Sequence, residues 1–286
     1  MKKTMILALV ALLAMGCVKE SVENEAPNSK DKVEMTFRMG GDFTFSTQGF
    51  TRSLTADGKD MTDVWVLDYM GATLMQQVHQ VSTDEDFGTP TMTLDLGEHH
   101  LYFVASRGGD PTLDTSAKTI IWGTVRDTFC KDLALTVTAS SSGSTAVVLD
   151  RVVTKLKLTV TDEVPSGCVS VTMVPDTWYD GLNYTNGNPV ASSGTTFNIS
   201  VPSSYIGTTG ELMLNYFGFS GTTEWTTNIS LTAKNEENEV VGSALIADAP
   251  FLRNRVTECS GPLFSGGGAV SLSLNPEWLD AASHTW

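Results

Sequence analysis

The sequence predicts an all-β protein of two tandem β-sandwich domains. Three observations carry this. Apolar and polar residues alternate in short runs along most of the chain, the period of strands with one buried face. Beyond the N-terminal leader, no stretch of a dozen residues has helical apolar spacing. Clusters of Gly, Ser, Asn and Pro separate the runs frequently, which suits a sandwich better than a parallel α/β sheet.

The chain opens with a leader over residues 1–16. Lys2 and Lys3 form a positive start, Met5 to Met15 is an apolar and small-residue run, and Ala14-Met15-Gly16-Cys17 closes it. The run is short for a spanning helix and its flanks are those of a cleaved signal. A signal that ends in Gly-Cys makes Cys17 the acylated N-terminal residue, although Leu13 lies one place further from the cysteine than the usual lipobox leucine. Acyl chains contribute about 0.8 kcal/mol per buried CH₂, so two or three anchor a protein stably in a membrane. Residues 17–32 are Lys, Glu, Ser, Asn, Pro and Asp with almost no apolar content, a composition expected of a flexible tether.

The domains are expected over 33–149 and 150–286. In the first, Val33, Met35, Phe37 and Met39 alternate with polar residues, and Leu133, Leu135 and Val137 share a face. Val64 to Tyr69 and Leu101 to Ala105 are apolar on both faces, as central strands covered on both sides would be. In the second, alternation marks Leu156–Val160, Val169–Met173, Phe197–Val201, Ile229–Ala233 and Val270–Leu274. The turn Asp162-Glu163-Val164-Pro165-Ser166-Gly167 predicts an antiparallel hairpin between the first two of these. A loose internal echo pairs Thr91–Leu96 and Leu101–Ala105 with Phe197–Val201 and Leu212–Phe217.

Composition narrows the function. The 286 residues are 41% hydrophobic, enough to bury ordinary cores, and carry a net charge of −15. Such a chain repels nucleic acid and anionic headgroups, so nucleic acid is not an expected partner. Besides Cys17 there are Cys130, Cys168 and Cys259, far apart and without metal-ligand spacing, which permit at most one internal disulfide among three pairings or none.

Enzyme chemistry finds no support. Gly218-Phe219-Ser220-Gly221 lacks the spacing of a nucleophile elbow, and Ser265 to Gly268 lacks the lysine of a phosphate loop. His99 and His100 are neighbours on a strand and point to opposite faces, so they do not chelate one ion together. Asp84-Glu85-Asp86 reads as a solvated acidic turn rather than a calcium loop. No catalytic, cofactor-binding or metal-binding residue is expected. An aromatic loop remains: Trp178, Tyr179 and Tyr184 stand among Asp176, Asp180 and Asn183, side-chain chemistry that suits glycan contact, whereas burial of Trp178 over one end of the core is the structural alternative.

The chain resembles the fimbrillin and FimB-type subunits of Bacteroidetes type V pili. Asp63-Val64-Trp65-Val66-Leu67-Asp68-Tyr69-Met70-Gly71 looks like the first long strand of their N-terminal domain. Leu149-Asp150-Arg151-Val152-Val153-Thr154-Lys155-Leu156 looks like the strand near their domain junction, and Arg253-Asn254-Arg255-Val256-Thr257 with Gly261 like a late strand before their C-terminal segment. Lys19-Glu20, just after the cysteine, resembles the export signal of surface lipoproteins from the same bacteria. The resemblance covers most of residues 33–278.

It implies transthyretin-like sandwiches, a lipid-anchored place at the outer membrane surface or in a fimbrium, and other pilus subunits as partners. It also implies a mechanism. Proteolysis after an arginine removes an N-terminal strand, and a C-terminal strand of the next subunit fills the groove by β-strand addition. Arg52, in Thr51-Arg52-Ser53, stands where a processing site is expected. The segment Ala269, Val270, Ser271, Leu272, Ser273 and Leu274, after Ser265-Gly266-Gly267-Gly268, is the candidate donor strand, with a hairpin strand folded onto its own sheet as the alternative. Anchor, accessory and tip roles are all open, and a surface glycan-binding lipoprotein is the competing function.

Overall fold

A computed structural model describes residues 32–41, 44–45, 60–108, 111–191, 194–266 and 270–275. The first half contributes β1 (Lys32–Gly40), β2 (Thr44–Phe45), β3 (Asp60–Met61), β4 (Asp63–Met70), β5 (Thr73–Val81), β6 (Thr91–Asp95), β7 (Gly97–Ser106), β8 (Pro111–Asp114), β9 (Thr119–Trp122), β10 (Thr128–Val137), β11 (Gly143–Val148) and β12 (Asp150–Arg151). The second contributes β13 (Val153–Val160), β14 (Cys168–Pro175), β15 (Gly181–Asn183), β16 (Asn188–Val190), β17 (Phe197–Ser200), β18 (Met213–Phe219), β19 (Trp225–Asn235), β20 (Val240–Phe251), β21 (Val256–Gly261) and β22 (Ser271–Asn275). Among the described residues the one helical element is a 3-10 turn at Ser203–Tyr205, so the all-β expectation holds.

Both sandwiches use one topology. In the first, β11-β1-β6 faces β12-β10-β7-β4-β5; in the second, β18-β13-β21-β22 faces β17-β14-β19-β20. Each leading strand, β1 or β13, lies between a parallel late strand and an antiparallel middle strand. The repeat is therefore real, but its register differs from the sequence echo. By position in the sheets, β6 and β7 correspond to β18 and β19, one strand later than alternation suggested, and β17 corresponds to β5. Alternation marks strands without saying which neighbour each one pairs with.

The predicted hairpin around Asp162–Gly167 is a correction. Strand β13 belongs to one sheet and β14 to the other, so the connection crosses the core. Its backbone pairs with residues 207–209 instead: Val164 N–H donates to Thr208 O at 3.0 Å, and Gly207 N–H donates to Val164 O at 2.8 Å. Val164 is buried, which a turn closing two adjacent strands would not require.

The two doubly apolar segments are central strands, as predicted. β4 and β7 sit inside the five-stranded sheet. Val64 and Val66 face the first core with Phe37, Leu101 and Phe103. Trp65, Leu67 and Tyr69 face the other way, onto a second layer with Ile120, Trp122, Leu182 and Phe219. That layer includes the small sheet β16-β15-β9-β8, in which Gly181–Asn183 pairs with Thr119–Ile121. Burying apolar surface at about 25 cal/mol per Å² makes this shared layer a strong contribution to holding the two sandwiches together. A hydrogen bond between the Tyr69 and Tyr184 hydroxyls, 2.8 Å, crosses it.

Candidate strand-exchange site

β1 forms one wall of the first core. Met35, Phe37 and Met39 point inward while Glu34 and Arg38 point out, the period of a half-buried strand. Phe37 is fully buried and its ring meets Phe103 edge-on at 5.4 Å. Both edges of β1 are paired, Thr36 against Ser144 on one side and Thr91 on the other. The side chains on the outer face are held weakly: Thr36 and Thr91 hydroxyls bond at 2.9 Å, and Lys32 meets Asp95 at 3.0 Å in an exposed ion pair worth little. The pairing that would open on loss of β1 is thus two strand edges, with Met92 and Leu94 of β6 along one side, over a groove floored by Val66, Leu101 and Phe103 of the facing sheet. Arg52 lies outside the described residues, between β2 and β3 in sequence, and Cys17 also lies outside them.

At the other end, Val270 to Leu274 lie on the chain's own second sandwich; Ala269 is outside the described residues. β22 pairs antiparallel with β21, Cys259 opposite Leu272 and Thr257 opposite Leu274, at the sheet edge. It is shallowly placed: Leu272 is 38% exposed, where Phe37 of β1 is 0%. Val270 packs against the core and lies close over Gly261.

The stem of this strand is pinned by a residue that sequence reading passed over. The Asp162 carboxylate accepts three backbone N–H groups, from Leu263 at 2.9 Å, Phe264 at 2.7 Å and Ser265 at 2.7 Å. Burial pushes its pKa up, but these hydrogen bonds outweigh it and leave the carboxyl below its ordinary value. Gly242 permits the close approach of Leu263 and Phe264, since a Cβ there would meet the Leu263 carbonyl oxygen at 2.7 Å. Asp162 therefore contributes stability above about pH 3.8, its unfolded value, which is lost as pH falls through the lower folded pKa. Asp162→Asn is expected to cost about 1–3 kcal/mol and to speed hydrogen exchange at Leu263–Ser265 before the rest of the domain; unchanged exchange there would contradict the pinning role.

The junction motif also acquires a role. Arg151 grips Asp127 with two bonds, Nε to Oδ1 at 2.8 Å and Nη2 to Oδ2 at 3.1 Å, and its Nη1 donates to Asn254 Oδ1 at 3.2 Å. Its guanidinium also lies over the Phe129 ring at 4.6 Å. Arg253 donates to Ser220 O at 2.9 Å and to Gly187 O. Asp127 is 24 residues from Arg151 and Asn254 is 103 away, so no local pattern announces the network.

The aromatic loop turns inward. Trp178 is buried and packs edge-on against Phe197, Trp225 and Phe251, and Tyr184 is buried on the shared layer. Tyr179 is partly buried, edge-on to Trp225 at 4.9 Å. The three rings do not make an exposed platform. Gly218 admits the indole, because a Cβ there would stand 2.9 Å from Trp178 Cε2. Gly218→Ala should destabilise the protein by about 1–3 kcal/mol through overpacking, read as a lowered midpoint of chemical unfolding.

His99 and His100 separate as expected. Buried His99 bonds Asp68 at 2.6 Å through Nδ1 and the Asp95 carbonyl at 2.9 Å through Nε2, while exposed His100 bonds Asp132 at 3.1 Å. Among the described residues no group of three His, Cys, Asp or Glu side chains is placed to hold a metal. Cys130, Cys168 and Cys259 are free thiols. Burial pushes Cys130 up to about 11 and Cys259 up to about 12, and raises Cys168. They should resist iodoacetamide at neutral pH and react on unfolding. Since the unfolded thiols ionise near pH 9.0 and the folded ones do not, these groups remove stability as pH rises above 9.0.

A family of unknown function (DUF6562) matches residues 112–285. The chain belongs to that family. No curated protein matches the sequence. Among solved structures, the chain is similar to the fimbrial anchor protein Mfa2 from Porphyromonas gingivalis, at 8% identity and a TM-score of 0.51, over 85% of this chain and 97% of that one. A candidate adhesin from Bacteroides ovatus gives 10% identity and 0.51 over 86% and 95%. A candidate polysaccharide-binding protein from Bacteroides thetaiotaomicron gives 8% identity and 0.51 over 85% and 96%. At these identities the likeness is one of fold, and it spans both sandwiches.

Proposed function

We propose that the chain is a structural subunit of a type V-like pilus, in an anchor or accessory role or at the tip, which assembles by β-strand exchange and serves adhesion at the cell surface. The observation that carries this reading is β1: a leading strand, paired on both edges, whose Met35, Phe37 and Met39 complete the first core. β22 supplies a matching donor. Val270 just before it, with its Leu272 and Leu274, repeats the two-residue spacing of those three side chains, and the seat of β22 is shallow. Moving such a strand into a deep groove gains buried apolar surface and keeps the backbone ladder. The fold shared with a fimbrial anchor and with adhesins supports the reading.

Acylation of Cys17 would hold the chain at the outer membrane through the tether, and cleavage after Arg52 would release it with the groove open. Intact mass and N-terminal state of protein purified from native outer membranes distinguish these roles. An acylated Cys17 on an intact chain is expected for an anchor; a chain starting at Ser53 without lipid, for a shaft or tip subunit. An acylated monomer that never co-purifies with other pilus subunits would overturn the proposal.

A further inference from the structure

The second sandwich holds a cleft of about 300 Å³ between its edge strands β17 and β18, closed at one end by the turn after β9. Its walls include Trp122, Trp178, Asp180, Thr195, Tyr216 and Phe217. This is the lower end of the size range of small-ligand sites, which combine aromatic walls with a few convergent polar groups.

Two of the wall residues hold buried polar atoms without a hydrogen-bond partner among the described residues, Trp178 Nε1 and Thr195 Oγ1. Buried polar groups are rarely left unsatisfied, and such atoms at a cleft point to a ligand. The donor and acceptor inventory narrows its chemistry. An indole N–H only donates, a carboxylate such as Asp180 only accepts, and a threonine hydroxyl does both. A simple anion such as chloride or sulfate supplies acceptors alone and an ammonium group donors alone. A polyhydroxylated molecule supplies both, and the C–H faces of a sugar ring pack on aromatic walls such as Tyr216 and Phe217. The chain's charge of −15 further disfavours anionic sugars.

We propose that this cleft binds a neutral saccharide, one or two rings deep. The site is separate from β1 and β22, and binding there requires no assembly.

The test uses the full chain with maltohexaose, cellohexaose, mannohexaose and xylohexaose as probes, by saturation-transfer difference NMR and isothermal calorimetry. At least one is expected to bind with a Kd of about 1 mM or tighter. Thr195→Val keeps the shape of the side chain and removes its hydroxyl; it should weaken that binding about fivefold or more with the unfolding midpoint unchanged, about 1 kcal/mol of affinity, and Asp180→Asn should weaken binding about as much. Tyr216→Ala should abolish the transfer signal, and the two conservative variants decide the matter where that variant unfolds. No binding by any of the four sugars would overturn the proposal, as would binding unaffected by Thr195→Val and Asp180→Asn. Loss of binding in these variants with strand-exchanged multimers intact would separate this site from the pilus reading.

Discussion

Cleavage after Arg52 is expected to remove β1 and to cost the first sandwich more than about 5 kcal/mol. Truncating a buried Met or Phe to Ala costs about 2–5 kcal/mol, and β1 supplies three such side chains, Met35, Phe37 and Met39, together with two strand edges. A domain is stable by only about 5–15 kcal/mol, so the cleaved first sandwich should unfold or acquire a replacement strand. Hydrogen exchange reads this directly. Amides of β6 and β11 should lose protection after cleavage and regain it when a peptide covering residues 32–41 is added, while β14 and β19 stay protected. Unchanged protection of β6 and β11 in the cleaved chain would show that β1 is dispensable.

The second large effect is expected at the junction. Arg151→Ala should destabilise the protein by about 3–5 kcal/mol, because it leaves the Asp127 carboxylate buried without its bidentate partner. Both side chains are nearly buried, 8% and 11% exposed, so solvent screens them little. The double variant Arg151→Met with Asp127→Leu should recover much of the loss, since replacing a buried pair by apolar groups is often close to neutral. Equilibrium urea unfolding checks both. A loss below about 1 kcal/mol, the range of exposed pairs, would show that the Arg151 network is incidental.

Strand periodicity made much of the fold legible. The doubly apolar runs at Val64–Tyr69 and Leu101–Ala105 marked the two central strands because covering layers demand apolar residues on both faces. Pairing was less legible. The segment Asp162–Gly167 carries ordinary turn chemistry, yet it crosses between sheets, because where a strand goes is decided by partners such as Gly207 and Thr208 some forty residues on. Distance along the chain also hid the roles of Asp162, whose partners stand about a hundred residues away, and of Arg151, whose partners Asp127 and Asn254 stand 24 and 103 residues away. The site elements divide similarly. β1 and β22 were visible as alternating strands. The depth of one and the shallowness of the other follow from tertiary packing, as does the inward turn of Trp178 and Tyr184.

The most direct measurement of strand exchange is the size distribution, by light scattering after gel filtration, of a chain that begins at Ser53, set beside the same chain without residues 270–275. The account predicts a ladder of multimers for the first and only monomers or disordered aggregate for the second. Monomers in both, or a ladder that persists without β22, would contradict it.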